Sequence, residues 1–130
     1  MRFKGLIIEK TSLSNYNGHL PTAWTPEHGL YAFKVYFKDG SDEVFIYQCN
    51  RKETPSCLDA IRAYAFDAMC YYNNMQIDNF LEEFGYDKYD TYKYDTGVLA
   101  YEGCRKAYKN LAYSQGLTAS EIQEISEWEE

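Results

Sequence analysis

Long apolar runs are missing from this chain of 130 residues. The N-terminal stretch reaches only Leu6-Ile7-Ile8, and no segment approaches the roughly 18 apolar residues of a membrane-spanning helix. That same short run, with no cleavage-like site after it, argues against a secretory signal. Basic charge is also in short supply. Thirteen Lys and Arg face twenty Asp and Glu, for a net charge of −7, which repels phosphate backbones and speaks against direct nucleic-acid binding. Cysteines number four, with 7, 12 and 33 residues between them, and this matches neither a zinc nor a thioredoxin-like spacing. Cys57, Cys70 and Cys104 fall among apolar neighbours of predicted helices and are expected to be buried, reduced thiols without metal. Gly5, Gly18, Gly29 and Gly40 form no phosphate-cradling motif.

Tyrosine is abundant instead, with fourteen copies. Four of them, Tyr86, Tyr89, Tyr92 and Tyr94, alternate with Asp87, Asp90 and Asp95 between Gly85 and Gly97, a stretch with no aliphatic side chain. Such a segment builds no core stripe of either period. It is expected on the surface, where tyrosines beside charges make protein-recognition patches. A duller alternative folds the rings back over the helices with their hydroxyls wet. The acidity is lopsided. Residues 1–65 hold eight basic and seven acidic side chains, and residues 66–130 hold five and thirteen. The acidic half suits a basic groove on another protein, including one that normally holds DNA or RNA.

One domain is expected, β-rich over residues 1–50 and helical over 54–130. Phe3 to Lys10 reads as a first strand. Tyr31 to Lys38 alternates with period two, Asp39-Gly40 signals a hairpin, and Glu43 to Cys49 is the return strand. A two-residue loop pairs Val35 with Val44 and Phe33 with Ile46. At Thr54 the period becomes helical. Thr54 is read as N-cap and Pro55 as first helical residue; Leu58, Ile61, Ala65, Ala68, Met69 and Tyr72 form the stripe, broadened by Tyr64 and Phe66. A short separate helix covers Ile77 to Phe84. Asp95 or Thr96 caps a third, with Ala100, Cys104, Ala107 and Leu111 as its stripe. Thr118 to Glu121 is a capping box opening a last helix with Ile122, Ile125 and Trp128. Strands first and three or four helices after give an α+β fold, a small antiparallel sheet packed against helices.

From Thr54 onward the chain resembles a group of small phage and prophage accessory proteins. Three pieces carry the likeness: Thr54-Pro55-Ser56-Cys57-Leu58-Asp59-Ala60-Ile61; Asn73 to Phe80 running into Glu83-Phe84-Gly85-Tyr86-Asp87; and Asp95-Thr96 followed by Tyr101, Cys104 and Leu111. They cover about half the chain. The family places antiparallel strands before this helical part and runs almost directly from the Asp after Gly-Tyr into the last long helix, so Lys88 to Tyr94 look inserted at that junction. The resemblance implies a mobile-element origin and the cytoplasm of a bacterial host, and brings no catalytic residues with it.

The expected function is therefore non-enzymatic protein binding. In its most concrete form the chain inhibits a host defence effector, of anti-CRISPR or anti-restriction type. Tyr86, Asp87, Tyr89, Asp90, Tyr92, Tyr94 and Asp95 make the contact, and the partner is a protein with a basic surface. No cofactor, metal, membrane or direct nucleic-acid contact is expected. A competing class is an enzyme or small-ligand binder built on the polar 11–29 loop, with Trp24 as stacking surface and His19 or His28 as polar groups. The nine-residue spacing of the histidines is no ligand pattern, and Asp87, Asp90 and Asp95 lack the regular calcium-loop order. Cys49 beside Arg51-Lys52 is the one thiol placed for a lowered pKa, but no histidine lies near it in sequence. A third class is a self-associating module, a homo-oligomer formed through an exposed sheet face.

Overall fold

A computed structural model describes residues 2–18, 28–50, 52–83 and 98–129. The fold is α+β, with a four-stranded antiparallel sheet followed by helices. The chain divides into two compact units, Met1–Ala63 and Tyr64–Glu130, and the division falls inside the first helix.

The first unit holds β1 (Arg2–Phe3), β2 (Leu6–Thr11), β3 (His28–Tyr36) and β4 (Asp42–Asn50), in the order β1-β2-β3-β4. The strand expected over residues 3–10 is broken early. Lys4 and Gly5 take φ of 48° and 81°, and the chain turns back there so that Phe3 pairs with Leu6 and Arg2 with Ile7. Positive φ at both central positions gives the tight turn whose twist matches paired strands.

The β3–β4 hairpin forms where expected, but its register differs by one residue. Val35 faces Glu43, Phe33 faces Phe45, and Val44 and Ile46 face Lys34 and Ala32. The loop is the reason. It has three residues, not two: Phe37 N–H bonds the Ser41 carbonyl (2.9 Å), Gly40 N–H bonds the Phe37 carbonyl (3.0 Å), and Gly40 takes a φ of +90°. A turn closed by a left-handed glycine is the usual three-residue hairpin. Asp39 Oδ1 accepts from Ser41 N–H at 2.8 Å and pins it.

A one-residue shift exchanges the faces of β4. Phe45, Tyr47 and Cys49 now share the face of Phe33, Val35 and Ile8. Phe33 stacks on Phe45 at 6.1 Å and meets Tyr47 edge-on at 6.2 Å. Leu6, Ile8, Phe33, Val35 and Cys49 are buried, as are Leu58, Ala60 and Ile61 from the start of the helix that follows. The opposite face is wetter: Ile7 is exposed, Tyr36 Oη donates to Glu9 at 2.9 Å, and Lys34 lies over the Tyr36 ring.

The first helix, α1 (Cys57–Glu83), runs unbroken for 27 residues. The separate helix expected from Ile77 is its last part, since the chain stays helical through Asn73-Asn74. Its cap is Ser56, not Thr54: Asp59 N–H donates to Ser56 Oγ (3.1 Å), and Ser56 N–H donates to Asp59 Oδ2 (3.0 Å). This reciprocal box satisfies two donors that the helix leaves unpaired. Pro55 therefore lies outside the helix, and is buried.

In the second unit, α2 spans Val98–Lys109 and passes into a π-helical turn, Asn110–Ser114. Asp95 and Thr96, its expected caps, lie outside the described residues. Gly116, with φ +78°, ends it, and Leu117 N–H returns to the Leu111 carbonyl at 3.0 Å. The predicted Thr118–Glu121 capping box is present, opening α3 (Ala119–Ser126). Tyr64, Ala65, Ala68, Met69, Ala107, Leu111, Ile122 and Ile125 form this unit's core. Each fully buried isoleucine contributes about 1.5–3 kcal/mol by leaving water. Phe66, expected to widen the buried stripe, is 60% exposed. Among the described residues, no helix is long and apolar enough to cross a membrane.

Candidate protein-recognition surface

Tyrosines collect on one side of the second unit. Tyr108 of α2 packs against Tyr71 of α1 (ring centroids 5.5 Å) and Tyr72 (5.6 Å), and meets Tyr113 edge-on at 6.4 Å. The local backbone explains the last contact. Tyr108 and Tyr113 are five positions apart, and at 3.6 residues per turn such side chains diverge around the helix. The wider turn at Asn110–Ser114, closed by Gln115 N–H on the Asn110 carbonyl at 2.9 Å, brings them together; such turns recur at functional sites. Asn110 Nδ2 also donates to Tyr64 Oη at 2.9 Å, tying the turn to α1.

Tyr113 is 74% exposed while Tyr71, Tyr72 and Tyr108 are half-buried. The result is a packed ring cluster with one member standing in water. Desolvation, then the neighbouring phenols Tyr113, Tyr72 and Tyr71, push the Tyr108 hydroxyl above the ordinary tyrosine value of 10.0. It stays a neutral donor at any physiological pH. Arg105, Lys106 and Lys109 share α2 with Tyr108, and Arg105 reaches Glu102 at 3.6 Å. The acid excess of this half of the chain thus comes from residues outside α2.

Beside the cluster sit Asp67, Cys70 and Cys104. Asp67 has open surface, yet protein crowding around its carboxyl raises its pKa from 3.8 to about 6. Desolvation first, then Asp67 and Cys70, pushes the Cys104 thiol up to about 11. The burial expected of the thiols falls short: Cys57, Cys70 and Cys104 are half-buried, and Cys49 is the buried one. All four are free. Cys49, weighed as a thiol that neighbouring basic residues could activate, has its pKa raised. Desolvation by burial, then Glu53 and Asp59, raises it, and Lys10 lowers it.

A second polar group lies at one end of the sheet in the first unit. Lys10 Nζ sits 5.1 Å above the Tyr31 ring, and Tyr31 Oη donates to the Glu53 carbonyl at 3.4 Å. Tyr47, raised chiefly by desolvation and then by Asp59, feels Arg62 as its opposing charge. The segment leading from β2 to β3 leaves from this end. His28 opens β3 opposite Asn50; His19 and Trp24 lie outside the described residues. So do Tyr86, Asp87, Tyr89, Asp90, Tyr92, Tyr94 and Asp95. Among the described residues, no three His, Cys, Asp or Glu side chains gather as a metal ion needs.

Sequence reasoning missed Tyr71, Tyr72, Tyr108 and Tyr113. The adjacent pair Tyr71-Tyr72 on a helix was a usable signal. The Tyr108–Tyr113 spacing was not, because it becomes a contact only through the π turn. No protein family, curated protein or solved structure matches this chain.

Proposed function

We propose that this chain is a non-enzymatic accessory protein that works by binding another protein. The observation that supports this best is the tyrosine cluster, with Tyr113 74% exposed and edge-on to Tyr108, which itself packs against Tyr71 and Tyr72. Rigid, amphipathic rings cost little entropy to dock and are the usual anchors of recognition surfaces. The partner is a protein with a basic surface, because residues 66–130 carry thirteen acidic against five basic side chains. With three cations on the helix that carries Tyr108, the acidic charge steers the encounter from a distance while the tyrosines anchor it. In its most specific form the chain is the product of a phage or other mobile element. It occupies a basic nucleic-acid groove of a host defence effector, and the acidic tyrosine-rich stretch around Asp87, Asp90 and Asp95 joins the contact.

The polar group at the sheet end favours a second reading. Lys10, Tyr31, Tyr47 and Arg62 would meet a small ligand there, with the 11–29 loop and its His19, Trp24 and His28.

The test is a binding experiment on a partner captured from host lysate and then purified. Tyr113→Ala should weaken binding at least about tenfold, mostly through a faster off-rate. Replacing Asp87, Asp90 and Asp95 by Lys should slow association and flatten its salt dependence. Parent-level affinity in both variants, at low and at high salt, would rule this reading out. Dependence on Trp24, His19 and His28 instead would favour the second.

A further inference from the structure

The two edges of the sheet are unlike each other. At one edge β1 is two residues long and ends in a turn. At the other, β4 is nine residues long and stays in unbroken register with β3 from His28↔Asn50 to Tyr36↔Asp42, without a bulge. From Val44 to Asn50 it carries no charged residue and no proline. Short strands, edge lysines, prolines and bulges are the devices that keep sheet edges from pairing. β1 uses the first of them, and the central part of β4 uses none.

The ladder also says which groups β4 offers. Phe37 and Ser41 form a hydrogen-bonded pair. In an antiparallel ladder such pairs alternate with non-bonded ones, so Phe45 bonds inward to Phe33 while Val44 and Ile46 turn their N–H and C=O groups away from β3. Among the described residues, no strand pairs with that side.

We infer that the outer edge of β4 binds β4 of a second copy of this chain, antiparallel, making one continuous sheet through two subunits. Charge selects the occupant and its direction. β4 is acidic at its start, at Asp42 and Glu43, and Lys52 follows its end, where its N–H is held by Asn50 Oδ1 at 3.0 Å. An antiparallel copy sets each acidic end against the other's basic end; a parallel one sets like against like. Near the centre Ile46, Tyr47 and their symmetry mates meet side by side, and apolar cross-strand pairs of this kind stabilise a sheet. β4 belongs to the first unit and the tyrosine cluster to the second.

Sedimentation velocity over a concentration series, with amide hydrogen exchange, tests the inference. The parent should reach twice its 15.2 kDa chain mass, and the Val44 and Ile46 amides should gain protection as concentration rises. Val44→Pro deletes an N–H that serves no bond to β3, the one place a strand tolerates proline. Ile46→Lys places a charge on the edge. Both should stay monomeric with the parent's circular dichroism, whereas Tyr113→Ala should still dimerise. If Val44→Pro does not fold, Ile46→Lys and the exchange data on the parent decide. A parent that stays monomeric at millimolar concentration overturns the inference. So does a dimer that survives in Ile46→Lys, and so does protection of Val44 and Ile46 that does not change on dilution.

Discussion

Asp67 shows how one side chain reports its surroundings. Its carboxyl is raised from 3.8 to about 6 by desolvation, so the folded state holds the proton more tightly than the unfolded chain does. The stabilising contribution of that proton is complete below the unfolded pKa and is lost as pH rises through about 6. Asp67→Asn, which never ionises, should therefore gain melting temperature relative to the parent on going from about pH 3.5 to about pH 7. A difference that is flat with pH, or falls, would mean that open solvent at Asp67 cancels the crowding. The same residue acts on Cys104, and this marks the limit of reading thiols from sequence. Apolar neighbours pointed to burial for Cys57, Cys70 and Cys104, yet a helix turns every such stripe through partly wet flanks. Cys49 has basic neighbours in sequence that could have activated it, but it is buried on the aromatic face of the sheet.

Elements were most legible where the signal was local. Thr118-Ala119-Ser120-Glu121 contains its own cap, so α3 starts where expected. The start of α1 was off by two positions because Thr54 and Ser56 are both good caps, and only Asp59 three residues beyond Ser56 completes a box. Ser56→Ala should cost about 1 kcal/mol in chemical denaturation, and Thr54→Ala close to nothing; equal costs would restore Thr54 as the cap. The continuity of α1 through Asn73-Asn74 was hidden because weak helix formers are overridden by packing on either side. Hairpin register failed for a different reason. Asp39-Gly40 fits a two-residue or a three-residue loop, and the choice falls to whichever register buries the better face. Here that face joins Phe33, Phe45 and Tyr47.

For the whole molecule, charge is the property that sequence supplies most directly. A net charge of −7 with the acid gathered in residues 66–130 sets up self-repulsion in the folded state, which salt screens. The parent's melting temperature should rise as sodium chloride goes from low to physiological ionic strength, and most of that gain should vanish when Glu124, Glu127 and Glu129 become Gln. A melting temperature that falls with salt would show instead that favourable pairs such as Lys34–Asp42, at 3.9 Å, outweigh the repulsion. That outcome is disfavoured because exposed pairs contribute only about 0–1 kcal/mol each.

Composition, period and caps established the α+β order of elements, the hairpin's place, the last helix and the acid excess, since each depends on residues within a few positions of one another. Tertiary structure decided the face that β4 buries, the thiol that is buried, and the merging of two predicted helices into one. It also built the described tyrosine surface. Tyr71, Tyr72, Tyr108 and Tyr113 are ordinary in sequence and meet only because α1 lies beside α2 and a π turn swings Tyr113 over Tyr108. Contacts between residues dozens of positions apart depend on how helices pack and where a turn is widened, and no local pattern records either.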